Sequence, residues 1–448
     1  MIRLVIYFSL LCIIVAEIAH ASAVPETRGM KVRLEDNTTP GEVRLYIDTL
    51  YNSGFNLIVL ETHYHGYTIY PSAVQREYGL PEQRPAFTGW DPLKETIEAA
   101  HRKNIAVYAW VQTLYTGNDR VEGKGPVLER YPHWAALDQH GNMTPQTGEE
   151  GYYFLSPFVD DVCEYLSALY TELVSAYDID GIFIDYLRYP VDAQRGPSTY
   201  DFNPSAIATS VAKLGYSPDE ILAAGTESDL FLSWTVLRID RIHETMRMLS
   251  TALRDAREDL WIVANVHGGY SPDRTQQDRL RDWIAWESEG LIDEISTQNY
   301  TDDNAEAHRI IRADFDHLST RGLLLPAITI LDIERESTLL TTVRMTPITG
   351  IVYFVRSRMT PGLYNTMRSG PFRYNAYLPT QEPERAVIQL LNACIDAMNL
   401  RDTHGLLDND NVTIDRIRET RMYLESLPTS DGNFIRNLDL ARRLEKLL

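Results

Sequence analysis

Asp185 closes a short apolar run, Gly181-Ile182-Phe183-Ile184-Asp185, and is followed at once by Tyr186, Leu187, Arg188, Tyr189 and Pro190. The β-branched and Phe-containing character of the run reads as a strand covered on both faces, and Pro190 stops any regular continuation. Alternation places Gly181, Phe183 and Asp185 on one face, so an interior-facing Phe183 carries Asp185 to the top of the wall. A carboxylate delivered there can attack an electrophilic carbon or activate water. Cleaving an acetal also requires a second carboxyl, to protonate the leaving oxygen. Glu61 ends the run Leu57-Ile58-Val59-Leu60-Glu61 in register with Val59, and Asp332 follows the run Gly322 to Ile328; these are the candidate partners, with Asp201 and Glu287 more remote. The structural alternative for Asp185 is an ion pair with Arg188.

Residues suited to binding hydroxyl-rich molecules fall at or after the same run ends. Asn265 and His267 share one face of a run, as do Gln298 and Tyr300, and amides, phenols and imidazoles bind hydroxyls. Trp110, Tyr186 and Tyr300 offer flat faces for a pyranose ring, although Trp110 shares its face with Tyr108 and Gln112 and is equally suited to packing. Arg188 adds a fixed cation. His63 and His65, spaced to point both rings one way from an extended segment, bind hydroxyls or, with His267, hold a metal. The spacing does not demand a metal, and neither metal nor cofactor is assigned.

These side chains need a scaffold that gathers strand ends. Eight apolar segments recur, each followed by a helix-like stretch: Met30–Arg33, Leu57–Glu61, Ala106–Gln112, Gly181–Asp185, Trp261–Val266, Glu294–Gln298, Gly322–Ile328 and Gly350–Val355. Helical spacing recurs over Val43–Tyr51, Pro92–Arg102, Val162–Tyr177 and Phe231–Arg254. Alternation of eight strands with helices predicts the α/β class and a closed (β/α)8 TIM barrel. No glycine-rich phosphate turn follows the first run, which disfavours an open dinucleotide-binding sheet. The long connections 113–154 and 189–229 leave strand carboxyl ends and are expected to wall the mouth. The barrel is placed at 24–375, and the amphipathic stretches at 379–448 predict a small helical appendage.

The chain's 448 residues, 44% hydrophobic and 23% charged, describe a globular protein with a large core, and the formal net charge of −21 disfavours nucleic acid as partner. Met1-Ile2-Arg3, the apolar core Leu4–Val15 and Ala21-Ser22-Ala23 form a secretory-signal pattern over 1–23, so the chain is expected to be secreted or periplasmic, with no stable membrane insertion once the signal is cleaved. Cys163 and Cys394, the cysteines beyond that segment, are too few for a disulfide scaffold and read as separately buried thiols.

Several motifs arrive in a fixed order: Arg28-Gly29, Gly54-Phe55-Asn56, Tyr70-Pro71-Ser72, Trp90-Asp91-Pro92-Leu93 with Ala100-His101, Ala109-Trp110 and Leu155-Ser156-Pro157. Then come Tyr177 to Pro190, Asp282-Trp283 with Trp286, Gly290-Leu291-Ile292-Asp293, and Gln298-Asn299-Tyr300. Over about residues 26–360 this set resembles the bacterial glycosyl-hydrolase-like family ten. Ser156, where the family commonly shows asparagine, and Ala264-Asn265-Val266-His267, where many members run into a Ser-Pro turn, are departures. The resemblance implies a (β/α)8 barrel acting on polysaccharide, with bacterial cell-wall glycan as substrate class and Asp185 in the signature at strand four. The rival readings are a carbohydrate-binding barrel without catalysis and a metal-dependent hydrolase acting on a glycan.

Overall fold

The computed structural model describes residues 24–381 except 193–197, 274–278, 319–322, 330–338 and 341–347. The signal pattern, Asp332, Cys394 and the appendage from residue 382 onward therefore lie outside the described residues. Eight parallel strands close on themselves: β1 Thr27–Val32, β2 Leu57–Tyr64, β3 Ala106–Gln112, β4 Gly181–Asp185, β5 Trp261–His267, β6 Glu294–Asn299, β7 Ala327–Thr329 and β8 Gly350–Phe354. Closure is the pairing of β8 with β1, from Gly350 opposite Thr27 to Tyr353 opposite Met30. The protein is a (β/α)8 barrel.

Strand alternation sorts the core into two layers. Inside, Leu57, Val59, Ala106, Tyr108, Trp110, Phe183, Val263, Ala327 and Val352 pack on one another. Outside, Met30, Ile58, Leu60, Val107, Ile182, Ile184, Ile262, Ile295 and Ile351 face the helices. Gly181 is required where β4 enters, because a Cβ would lie 2.7 Å from the Trp261 carbonyl oxygen and 2.9 Å from the Tyr108 ring. Three helices illustrate why the outer ring forms. Helix α1, Pro40–Asn52, starts in a Thr39/Glu42 capping box with proline in its first turn. Helix α2, Pro92–His101, is capped by Asp91, and α3, Asp160–Ala176, buries Val162, Leu166, Leu169 and Leu173 at helical spacing. The 28-residue α4, Asp229–Ala256, packs beside α3.

The expected single strand Gly322–Ile328 is interrupted. Leu323–Leu324 and Ala327–Thr329 both pair with β6, and between them Pro326 has no N–H to give the ladder. The first strand also begins three residues earlier than its apolar pattern, because Thr27 and Arg28 gain partners in β8. The long connections carry structure of their own. Residues 113–154 include an antiparallel pair, Tyr115–Asn118 with Tyr152–Phe154, and a helix at Gly125–Arg130. The β4–α4 connection carries helices at Pro204–Leu214 and Pro218–Ala223. At the opposite end, Ala376–Tyr377 pairs with Val24–Pro25, and Leu378 joins the inner cluster. No helix among the described residues is long and apolar enough to cross a membrane.

Candidate active site

At the carboxyl ends of β1 to β5 the inner wall changes from apolar to ionisable. Lys31 of β1, Glu61 of β2, Gln112 of β3, Asp185 of β4, and Asn265 and His267 of β5 occupy inward positions of their strands, and Arg33 follows β1 directly. Asp185 is 4% exposed, and both oxygens face donors: Trp110 Nε1 at 3.0 Å to Oδ2, and the Tyr186 backbone nitrogen at 2.8 Å to Oδ1. Tyr186 adopts φ +55°, a left-handed conformation that a non-glycine residue takes at a cost of about 1–2 kcal/mol. That turn brings its own N–H back onto the carboxylate. Acceptor-only contacts are those of an ionised group, suited to a nucleophile or base.

Glu61 is fully buried and more tightly engaged. Arg33 donates to both of its oxygens, through Nε to Oε2 and through Nη2 at 2.7 Å to Oε1, while Gln112 Nε2 donates to Oε1 at 2.8 Å. The paired carboxylate raises the already high pKa of the Arg33 guanidinium further. Gln112 also accepts from the His65 backbone nitrogen at 3.3 Å, so one amide spans β2 and the turn beyond it. Lys31 lies between the two carboxylates electrostatically: burial lowers its pKa to about 8, while Asp185 and then Glu61 pull it up and Arg33 pushes it down. Its ammonium rests 4.6 Å from the Trp110 ring centroid and 4.7 Å from that of Phe183.

The alternative for Asp185, an ion pair with Arg188, does not form. Arg188, 2% exposed, instead makes a two-point pair with Glu149 from the β3–α3 insertion, Nη1 to Oε2 at 2.8 Å and Nη2 to Oε1 at 2.6 Å. Its guanidinium also lies 4.9 Å from the Tyr186 ring, which stacks on Tyr115 at 4.6 Å. Burial opposes charge on both members of the pair. Their mutual attraction prevails, lowering the pKa of Glu149 and raising that of Arg188. The insertion is thereby fastened to the segment that follows the strand carrying Asp185.

The two histidines at the carboxyl end of β2 do not point together. A bulge between Glu61 and His63 puts His63 opposite Val111, an outward position, where it packs edge-on against Tyr170 of α3 and is held neutral, its pKa lowered to about 4 by burial. His65 sits past the strand end at φ +49°, with Nδ1 3.3 Å from Glu122 and its ring against Tyr115. His267 is a third, separate case. Arg281 Nη2 lies 2.9 Å from its Nδ1, which must accept, and burial followed by Arg279, Arg281 and Arg188 holds its pKa far below the usual value. Among the described residues no group of three or more metal-ligating side chains is assembled.

On the far wall Asn265 stands opposite Ser296, and His267 opposite Gln298. Tyr300, 40% exposed, stacks on Phe354 of β8 at 5.1 Å and offers a rim platform. Asp201, Trp134 and Asp282 are engaged within the fold. Asp201, fully buried, accepts from the Leu137 and Asn203 backbone nitrogens, and burial raises its pKa to about 6. Trp134 stacks on Tyr131, while Asp282 caps the helix that buries Trp283 and Trp286. Sequence reasoning missed the roles of Lys31, Arg33 and Glu149. The first two had a signal, cations alternating with Met30 and Val32 in an apolar strand; Glu149 had none.

The sequence pattern of the family described as Glycosyl hydrolase-like 10 matches residues 30–321. "Glycosyl hydrolase DigH" of Escherichia coli K12 is 22% identical over 265 residues, covering 57% of this chain and 56% of its own length. "Glycosyl hydrolase YngK" of Bacillus subtilis is 25% identical over 175 residues, covering 37% of this chain and 31% of its own. The match thus spans about half or less of these curated relatives. Among solved structures, the PgaB (BpsB) glycoside hydrolase domain from Bordetella bronchiseptica superposes with a TM-score of 0.55 at 16% identity, covering 78% of this chain and 97% of that one. The catalytic domain of β-amylase from Paenibacillus polymyxa gives a TM-score of 0.53 at 14% identity, covering 79% and 98%.

Proposed function

The chain belongs to the Glycosyl hydrolase-like 10 family, and from that membership we propose that it is an exported hydrolase of O-glycosidic bonds in a polysaccharide, with bacterial cell-wall glycan as substrate class. The observation that carries the reading is Asp185, an inward carboxylate at the carboxyl end of β4 held by two N–H donors in an aromatic mouth. Asp185 is the nucleophile or general base. Its partner comes from Glu61 or Asp332. Glu61 lies one strand away from Asp185 and one inward position lower, so the two backbones stand roughly 12 Å apart before the inward side chains shorten the gap. With Arg33 and Gln112 on its oxygens, however, Glu61 suits a fixed anion better than a proton donor. That favours Asp332, which follows β7 in the sequence, as the acid. Tyr186, Tyr300, Gln298, Asn265, His267, His65 and Trp110 bind the sugar or shape its site, and export rests on the pattern of residues 1–23.

The test is digestion of a panel of α- and β-linked polysaccharides and peptide-free cell-wall glycan, with products identified by mass spectrometry. Cleavage of any member that Asp185→Asn abolishes supports the reading. A protein that binds glycan and releases no product would instead be the carbohydrate-binding barrel, a reading that the engaged oxygens of Glu61 also suit. Activity lost to chelators and restored by zinc would support a metal-dependent hydrolase.

A further inference from the structure

Lys31 is a buried ionisable group beside Asp185 that the proposed chemistry leaves unused. It is 1% exposed and points inward from β1, shortly before Arg33. A charge withdrawn from water costs several kcal/mol unless other charges or polarisable groups answer it. Here the answering groups come from four strands. Asp185 of β4 and Glu61 of β2 act on it as anions, the Trp110 and Phe183 rings of β3 and β4 offer their faces, and the Phe354 ring of β8 lies 5.8 Å away. The opposing cation is Arg33, and the charge of Lys31 is among those that hold His267 neutral. Two cations and two carboxylates thus share the inner wall, and the ring that carries Lys31 is also the ring whose N–H grips Asp185.

We propose that Lys31 is a positioning residue for Asp185: its ammonium, clamped on the Trp110 and Phe183 rings, balances the Asp185 and Glu61 charges and fixes the indole that orients Asp185. The proposal rests on the reading of Asp185 as nucleophile or base. It requires no contact between Lys31 and the glycan. Loss of the Lys31 proton as pH rises through about 8 would remove the balancing charge, so activity would fall on that side of neutrality.

The experiment has two arms. In the first, kcat and KM on a cleaved glycan are measured from pH 5 to 10 for the native enzyme, Lys31→Met and Lys31→Arg. Lys31→Met should lower kcat about 10- to 100-fold with little change in KM and lose the fall near pH 8, whereas Lys31→Arg should keep more activity and remain flat past pH 9. A Lys31→Met enzyme with native kcat and native pH profile would overturn the proposal. The second arm needs no activity. The chain has six lysines, Lys31, Lys94, Lys103, Lys124, Lys213 and Lys446, so ε-13C-lysine NMR can follow each one. Lys31 should titrate near 8 and move lower in folded Asp185→Asn, which removes the anion. A Lys31 titration unchanged by Asp185→Asn overturns the coupling even if Lys31→Met fails to fold. If no glycan is cleaved while the NMR shift appears, the hydrolase reading fails and the pairing stands.

Discussion

The two ends of the barrel hold the same chemical pairing and use it differently. At the amino-terminal end the Trp261 indole donates to Glu294 at 3.1 Å; at the mouth the Trp110 indole donates to Asp185 at 3.0 Å. An arginine grips a carboxylate at each end too, Arg254 on Asp293 below and Arg188 on Glu149 above. Below, Glu294 also accepts from Thr349, Asp293 also accepts from the Ile262 backbone nitrogen, and Asp180 binds His101 and the Val107 nitrogen. The strand pair Val24–Pro25 with Ala376–Tyr377 joins the segments that flank the barrel there, and Leu378 enters the inner cluster. Above, the strands end in cations, carboxylates and ring faces walled by an insertion. Polar groups in a closed site are answered by the protein and stabilise it. Their counterparts at the mouth, buried as well, are the groups the proposed reaction would use.

The sharpest way to break that contrast is to neutralise one acid at each end. Asp185→Asn should lower glycan cleavage by at least about a thousandfold while costing only about 1 kcal/mol of stability, because the buried Lys31 can shed its proton. Glu294→Gln should do the reverse, costing about 1–3 kcal/mol in denaturant melts with kcat intact. Breaking the arginine pairs comes next. Glu149→Gln should cost about 3 kcal/mol, because Arg188 is left buried, and should also weaken cleavage by loosening the Tyr115/Tyr186 wall; Asp293→Asn should affect stability alone. Urea unfolding beside steady-state kinetics separates the two.

A pH measurement sharpens the same point. His63 has a folded pKa near 4 against 6.5 in the unfolded chain, so the unfolded state binds more protons between those values. Its contribution is fully present above pH 6.5 and is lost as pH falls toward 4, by about 3 kcal/mol. His63→Phe should therefore flatten that part of the stability profile measured by urea melts from pH 4 to 7. The smallest effect is expected from the indoles. Trp110→Phe should reduce kcat/KM about tenfold by removing one donor to Asp185, and Trp261→Phe should reduce only the melting temperature. Equal losses of activity in the two would contradict the division between the ends.

Much of the barrel was legible because its strands carry local patterns. Seven of the eight apolar runs lie within or overlap continuous strands, and the exception fails at Pro326, where a missing N–H outweighs an apolar pattern. Asp185 was visible for the same reason, as a charge at the end of a buried run. His63 was misread because a bulge between Glu61 and His63 reverses the strict alternation on which its direction was inferred. The partner of Arg188 was not legible because Glu149, 39 residues away, leaves no mark near it in the sequence.

The sequence by itself determined the alternation of elements, the inward face of each regular strand and the carboxylate at the end of β4. These follow from backbone periodicity and burial, which act over a few residues. Tertiary structure alone decided which charges meet: Arg33 with Glu61, Arg188 with Glu149, and Lys31 between Asp185 and Glu61 on two aromatic faces. Electrostatic partners are set by distance in space and by exclusion of water, and closing the barrel fixes both at once.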